Sequence, residues 1–223
     1  MLHTQHTLRG TPTRVVVAAC TVALTLSGCS AIKMLHNGAP TSSPAAAQGI
    51  CHDVQAQRWV SVSSDVSAGK ATVRLPQPAN WDSAPELAKA PIALVLQDTA
   101  LATPEGMVPA LLVAITDVTD KTKTADQLLL TSVAGLSKTG ASNITNKSRS
   151  ICGYPALQLD YDKSNPTVPN EPSKKTKLLS VIAPIGDKTF NILVNVQFVH
   201  ADNPSYVADA SSMLEGLQIQ PVH

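Results

Sequence analysis

Phe190-Asn191-Ile192-Leu193-Val194-Asn195-Val196-Gln197-Phe198 decides the fold class. Successive side chains of a strand point to opposite faces. Phe190, Ile192, Val194, Val196 and Phe198 therefore share one face, and Asn191, Asn195 and Gln197 fall on the other. That is the pattern of a half-solvated antiparallel strand, apolar toward a core and polar toward water. Immediately upstream, Gly186-Asp187 reads as a tight turn back from a strand over Thr176 to Ala183. Pro155 to Tyr161 and Ile144 to Ile151 complete a run of four strands. Between them, Pro166 to Pro172 holds three prolines and reads as a projecting loop.

Before this run the apolar period changes. Thr124-Ala125-Asp126-Gln127 is a capping-box pattern, in which the first side chain and the fourth satisfy each other's backbone N–H. Behind it, Leu129, Val133 and Leu136 share one helical face, and Gly140 ends the segment. Further toward the N-terminus, Ala71 to Leu75 alternates and stops at Pro76. Ile92 to Gln97 and Pro109 to Val118 are dense in aliphatic residues and read as buried strands, with Pro104-Glu105-Gly106 as a turn between them. A Pro-rich phrase, Leu75 to Trp81, leads to a short helical turn near Pro85 to Lys89. After the long strands, Asn203-Pro204 opens a helix whose stripe is Val207, Ala210, Leu214 and Leu217. This order predicts an α+β fold, an antiparallel sheet of about six to seven strands with flanking helices.

The N-terminal segment predicts where the chain works. Arg9 and Arg14 precede an apolar core from Val15 to Leu26, and Leu26-Ser27-Gly28-Cys29 follows as a lipobox. The core is about 12 residues, too short for a membrane span of ~20. Ser30, Lys33, His36, Asn37 and Gly38 then break any apolar continuation. The expectation is a lipoprotein signal peptide over 1–28, cleaved before Cys29, whose thiol takes the lipid. Anchoring that holds takes two acyl chains, as a diacylglyceryl cysteine supplies. Residues 29–50 then form a Ser/Thr/Pro/Ala tether, and 51–223 a single α+β domain. The expected location is the extracytoplasmic face of a bacterial cell membrane.

Charge excludes one class of partner. The chain has 17 Lys and Arg against 16 Asp and Glu. The leader removes Arg9 and Arg14, and the near-neutral remainder argues against nucleic acid. Aromatic residues are 3% of the chain, so its core must be built from Val, Leu, Ile and Ala. Of four cysteines, Cys20 leaves with the leader and Cys29 carries lipid, which leaves Cys51 and Cys152 to pair in an oxidising compartment. Neither belongs to a C-x-x-C motif, so a redox role is not expected.

With these features in place, the chain resembles the LpqN/LpqT family of mycobacterial lipoproteins. The resemblance rests on the lipobox, the tether, the strand-turn phrase ending in Trp81, the Gly153-Tyr154-Pro155-Ala156 turn and the long central strands. It implies a PsbP-like fold. It also implies a non-enzymatic envelope protein linked to the handling of trehalose glycolipids. The Cys51–Cys152 pair is not part of what the resemblance implies.

Catalytic signatures are missing from the sequence. There is no H-E-x-x-H, no G-x-S-x-G and no phosphate-binding Gly-Lys-Ser/Thr loop, and no metal or cofactor is expected. His36 lies in the tether, His52 beside Cys51, and His223 at the C-terminus. His200 with Asp202 reads as a solvated loop pair rather than a polarised nucleophile's base. Asp160 and Asp162 share a strand face; they form a cation or acid/base pair, or an exposed strand face. Lys174, Lys175 and Lys177 read as a solvated strand end or a contact for anionic headgroups. Trp81 either lines a ligand pocket or plugs the end of the sheet. The functional expectation is a membrane-anchored binding or adaptor module for an amphiphilic ligand or an envelope transport partner. The competing class is a protein-interaction lipoprotein without a small-molecule ligand, and an enzyme on envelope lipids ranks last. An enclosed apolar cavity, an exposed apolar patch or a cleft of converging polar groups would separate the three.

Overall fold

Two short turns set the register of the large sheet in the computed structural model of the chain, which describes residues 51, 54–64, 71–104, 106–164, 173–198 and 202–221. The leader, Cys29, the tether, His52, the Pro166 to Pro172 loop, His200 and His223 lie outside the described residues. The first turn is Cys152-Gly153, with φ of 51° and 79°, between the paired residues Ile151 and Tyr154. Positive φ at both central positions matches the right-handed twist of the flanking strands. The sequence expectation of a turn over Gly153 to Ala156 is thus shifted: Tyr154 already pairs in the next strand. The second turn is Gly186-Asp187, where Gly186 takes φ 63° between the paired residues Ile185 and Lys188.

The described strands are β1 (Trp59–Ser63), β2 (Ala71–Pro76), β3 (Asp82–Ser83), β4 (Ile92–Gln97), β5 (Ala110–Asp117), β6 (Ala141–Ile151), β7 (Tyr154–Lys163), β8 (Lys174–Ile185), β9 (Lys188–Phe198) and β10 (Gln218–Pro221). The helices are α1 (Ala125–Ser137) and α2 (Pro204–Glu215). Seven strands form one antiparallel sheet in the order β3-β4-β5-β9-β8-β7-β6, and β1-β2-β10 form a second, smaller one. The α+β class and the strand number of the main sheet are as the sequence indicates. The small sheet is additional, because β1 and β10 are short and only their pairing with β2 makes them strands.

The main sheet is covered on both faces. One face packs Phe190, Ile192, Val194 and Val196 against Val73, Leu75, Tyr206, Ala210, Met213, Leu214 and Ile219 from the small sheet and α2. Burying each such side chain contributes about 1.5–3 kcal/mol. The other face packs Leu157, Leu159, Tyr161, Leu178 and Ile182 against Leu129 and Leu136 of α1.

This second layer corrects the reading of β9 as half-solvated. β9 lies between β5 and β8, and α1 covers the sheet beside it. Its polar residues meet protein rather than water. Asn191, 6% exposed, accepts from the Ser180 hydroxyl at 3.0 Å and donates to Ser132 Oγ of α1 at 3.3 Å. Asn195 Nδ2 donates to the Tyr161 hydroxyl at 3.0 Å. Buried polar atoms need such partners, because an unmet one costs about 1–3 kcal/mol. Asn195 Oδ1 is buried and has none among the described residues.

Both helix starts follow their sequence signals. Thr124 Oγ1 accepts from the Gln127 N–H, and Gln127 Oε1 accepts from the Thr124 N–H. Asn203 Oδ1 accepts from Ser205 and Tyr206 at the start of α2. The buried stripe of α2 is Tyr206, Ala210, Met213 and Leu214. Val207 is only half-buried, and Leu217 lies past the Gly216 cap, outside the helix.

Candidate ligand-binding cleft

Strand register brings together two clusters that are apart in sequence. Asp160 of β7 lies opposite Lys177 of β8, and Asp162 lies opposite Lys175. All four belong to the sheet face that α2 covers, beyond the point where the apolar packing ends. There they line an open cleft of about 420 Å³, together with Asn143 and Thr145 of β6, Thr176 and Val207. Val207, on the outward flank of α2, is its apolar lip.

Three of the four charged groups in the cleft, Asp160, Asp162 and Lys177, have side-chain partners. Lys177 Nζ stands 3.7 Å from Asp160 Oδ1, with the two side chains 35% and 43% exposed. The other Asp160 oxygen accepts from Gln158 Nε2 at 3.1 Å, and Gln158 Oε1 in turn accepts from Arg149 Nη1 at 2.8 Å. A polar row thus runs across three strands, from Arg149 to Gln158 to Asp160 to Lys177. Asp162 Oδ2 accepts from Asn143 Nδ2 at 2.8 Å.

Asn143 reaches that position through a local irregularity. The β6–β7 register shifts between Ser142 and Thr145, and Asn143 takes φ 52°. Bulges of this kind re-aim a side chain, and Asn tolerates the left-handed region better than most residues. The Thr145 hydroxyl donates to the Asp160 carbonyl at 3.4 Å. The arrangement offers carboxylate acceptors and amide, hydroxyl and ammonium donors within one small volume, which suits a ligand rich in hydroxyl groups.

Lys174 leaves the basic cluster, pointing to the opposite face, where its Nζ lies 2.7 Å from Met107 Sδ. Asp202 is exposed. Trp81 sits in the core at 0% exposure, away from the cleft. Its ring stacks on Tyr206 at 5.8 Å and 16°, and its Nε1 donates to Asp209 Oδ2 at 3.2 Å. Gln77 and Arg58 donate to its carbonyl, and the Tyr206 hydroxyl donates to the carbonyl of Gln197. Its place is that of a plug between the two sheets, with no ring face open to a ligand. Burial pushes the Asp209 carboxyl up from its ordinary value, and the nearby Asp98 charge adds to this against the opposing indole hydrogen bond.

Cys51 and Cys152 form a disulfide across 101 residues, and Cys152 Sγ accepts from the Ile219 N–H at 3.4 Å. The bond ties the start of the described chain to the β6–β7 turn and to β10. Among the described residues, no group of three metal-ligating side chains comes together, and no helix is long and apolar enough to cross a membrane.

The sequence shows the cleft's acids as one pair and its lysines as one cluster, but not their meeting, and it leaves Asn143, Thr145, Arg149 and Gln158 unmarked. The available signal was alternation: Thr145, Lys147 and Arg149 share one face of β6, as Gln158, Asp160 and Asp162 share one face of β7.

No protein-family model matches the chain, and no curated protein matches it in sequence. Among solved structures, it is similar to LpqN, involved in cell envelope biogenesis of Mycobacterium tuberculosis. That match has TM-score 0.59 and 18% identity, covering 74% of this chain and 93% of that one. Cyanobacterial PsbP from Synechocystis sp. PCC 6803 superimposes with TM-score 0.48 and 13% identity over 77% of this chain and 98% of that one. The LpqN match shows that the fold implied by the sequence resemblance is the fold of this chain.

Proposed function

We propose that this chain is a lipid-anchored, extracytoplasmic binding or adaptor module without enzymatic activity. On this reading its cleft takes the sugar headgroup of an envelope amphiphile, of the trehalose-glycolipid class. The observation that carries the reading is the cleft between β6, β7, β8 and α2, with Asp160, Asp162, Lys175, Lys177 and Asn143 around about 420 Å³. Vicinal hydroxyls of a sugar can donate to the two carboxylates and accept from the ammonium and amide groups, while Val207 meets the apolar part below the headgroup. By the sequence criteria an enclosed apolar cavity marks a ligand binder and a cleft of converging polar groups an enzyme. This cleft is open and carries such groups, so the binding reading rests on their match to a sugar headgroup and not on an apolar cavity. Against catalysis, the described residues of the cleft offer no hydroxyl or thiol held by a base that is itself oriented by a third group. The likeness to LpqN supports an envelope role, and the lipobox at Cys29 supports attachment through lipid.

The test uses the chain from Ser30 onward, free of lipid, in native mass spectrometry after incubation with an envelope lipid extract and with a purified trehalose glycolipid. A stoichiometric adduct that disappears in Asp160→Asn supports the reading. A bare protein mass across all lipids sinks it. Anchoring is tested separately: mass spectrometry of the N-terminal peptide should find diacylglyceryl on Cys29, and Cys29→Ala should release the protein from the membrane.

A further inference from the structure

The two edges of the main sheet differ. One is β3, of two residues; the other is β6, of eleven, from Ala141 to Ile151. Ile151 and Tyr154 close a two-residue hairpin, so Ile151, Arg149, Lys147 and Thr145 turn their backbone groups toward β7. The alternate residues Ser150, Ser148 and Asn146 turn theirs outward. These three are exposed, and among the described residues nothing pairs with their backbone N–H and C=O groups. Such a row is a template for one more strand.

The charges on β6 say which strand. Its two ionisable side chains are Lys147 and Arg149, both cationic and both on the same face. Arg149 spends one donor on the neutral Gln158, and no described carboxylate pairs with either cation. A second copy of this chain fits badly in the registers centred on the cationic stretch. Antiparallel pairing of β6 with itself about Ser148 sets Lys147 opposite Arg149. Pairing about Lys147 or about Arg149 sets like against like. An extended acidic segment has the opposite fit, since carboxylates at alternate positions would lie beside Lys147 and Arg149 while its backbone pairs with Asn146, Ser148 and Ser150.

We propose that the β6 edge of this protein receives an extended acidic segment of another protein as an eighth strand of the main sheet. This surface, the outward backbone of Asn146 to Ser150, adjoins the cleft through Asn143 and Thr145 of the same strand but does not depend on the ligand reading.

The test titrates the isotope-labelled chain from Ser30 onward with an acetylated octapeptide of alternating threonine and glutamate, and with its lysine-for-glutamate counterpart. The acidic peptide should slow amide exchange at Asn146, Ser148 and Ser150. The variant Lys147→Glu with Arg149→Glu should weaken that binding about tenfold and pass the preference to the lysine peptide. Ser148→Pro should abolish binding while leaving the folded spectrum intact, because that N–H serves no partner within the chain. Lys175→Ala, in the cleft but two strands away on β8, should leave peptide binding unchanged, which separates this surface from the cleft. Equal binding of the two peptides overturns the proposal. So does an absence of protection along β6, or protection there that arises from self-association without peptide.

Discussion

Gly216, which caps α2, lies so close to Pro76 of β2 that a Cβ on it would stand 2.3 Å from Pro76 Cγ. Its φ of −87° is open to any residue, so the constraint is space and not backbone strain. Gly216→Ala should therefore destabilise the fold by about 1–3 kcal/mol, the usual cost of overpacking. Adding Pro76→Ala should recover part of the loss. Urea unfolding of the four chains in the cycle measures it; independent, additive effects would show that the two residues do not meet.

Trp81 and Asp209 supply a pH-dependent prediction. Burial raises the Asp209 carboxyl above its ordinary 3.8, so its proton is held more tightly in the folded chain than in the unfolded one. The contribution of this group to stability accordingly declines as pH rises past 3.8 and through the raised value. Asp209→Asn keeps an acceptor for the indole N–H and carries no charge. It should match or exceed the parent in stability at pH 7, with the difference shrinking on acidification. Urea midpoints across pH 4 to 8 check the sign.

Asp117 gives the opposite sign at another place. Hydrogen bonds from Thr119, then the Lys188 ammonium at 2.9 Å, lower its pKa to about 2. Its contribution is present above 3.8 and is lost as pH falls toward 2. Asp117→Asn should cost up to about 1 kcal/mol at neutral pH, since the pair is at the surface, and progressively less as pH falls from 3.8 through about 2. A constant difference across that range would rule this account out.

In the cleft, Asp160→Asn and Lys177→Ala should barely alter stability, by about 1 kcal/mol or less, because both side chains are substantially solvated. Each should nonetheless weaken headgroup binding by about tenfold, the loss of one charge-assisted hydrogen bond. Calorimetric titration alongside thermal unfolding separates the two effects.

Breaking the disulfide should do the reverse. Cys51→Ser with Cys152→Ser should lower stability by about 2–5 kcal/mol and leave headgroup affinity intact, since neither cysteine touches the cleft. Urea unfolding and the same titration measure both.

How much of this was legible differs from element to element. The alternation of β9 and the capping signals at Thr124 and Asn203 are local, and the structure follows them. Alternation cannot say what covers the polar side of a strand. Asn191 and Asn195 look the same in sequence whether they face water or a helix bearing Ser132, and only the packing of α1 decides. β10 is four residues long, too short for a periodic signal, and exists because β2 offers an edge. Asp160, Asp162, Lys175 and Lys177 were visible as charges. Their pairing depends on the register of β7 against β8, which the loop between them does not encode.

The Cys51–Cys152 bond sits at the turn end of the β6–β7 hairpin, and Asp160 lies six residues along β7 from Tyr154, roughly 20 Å away at strand rise. The hairpin is therefore a boom. With lipid on Cys29, the tether pulls at its foot, and the cleft rides at its tip. Reduction of that single bond would move the pivot to the residues before β1 and change how far from the membrane the tip can swing. On the proposed reading, the point of attachment and the cleft would lie at two ends of one hairpin within the main sheet.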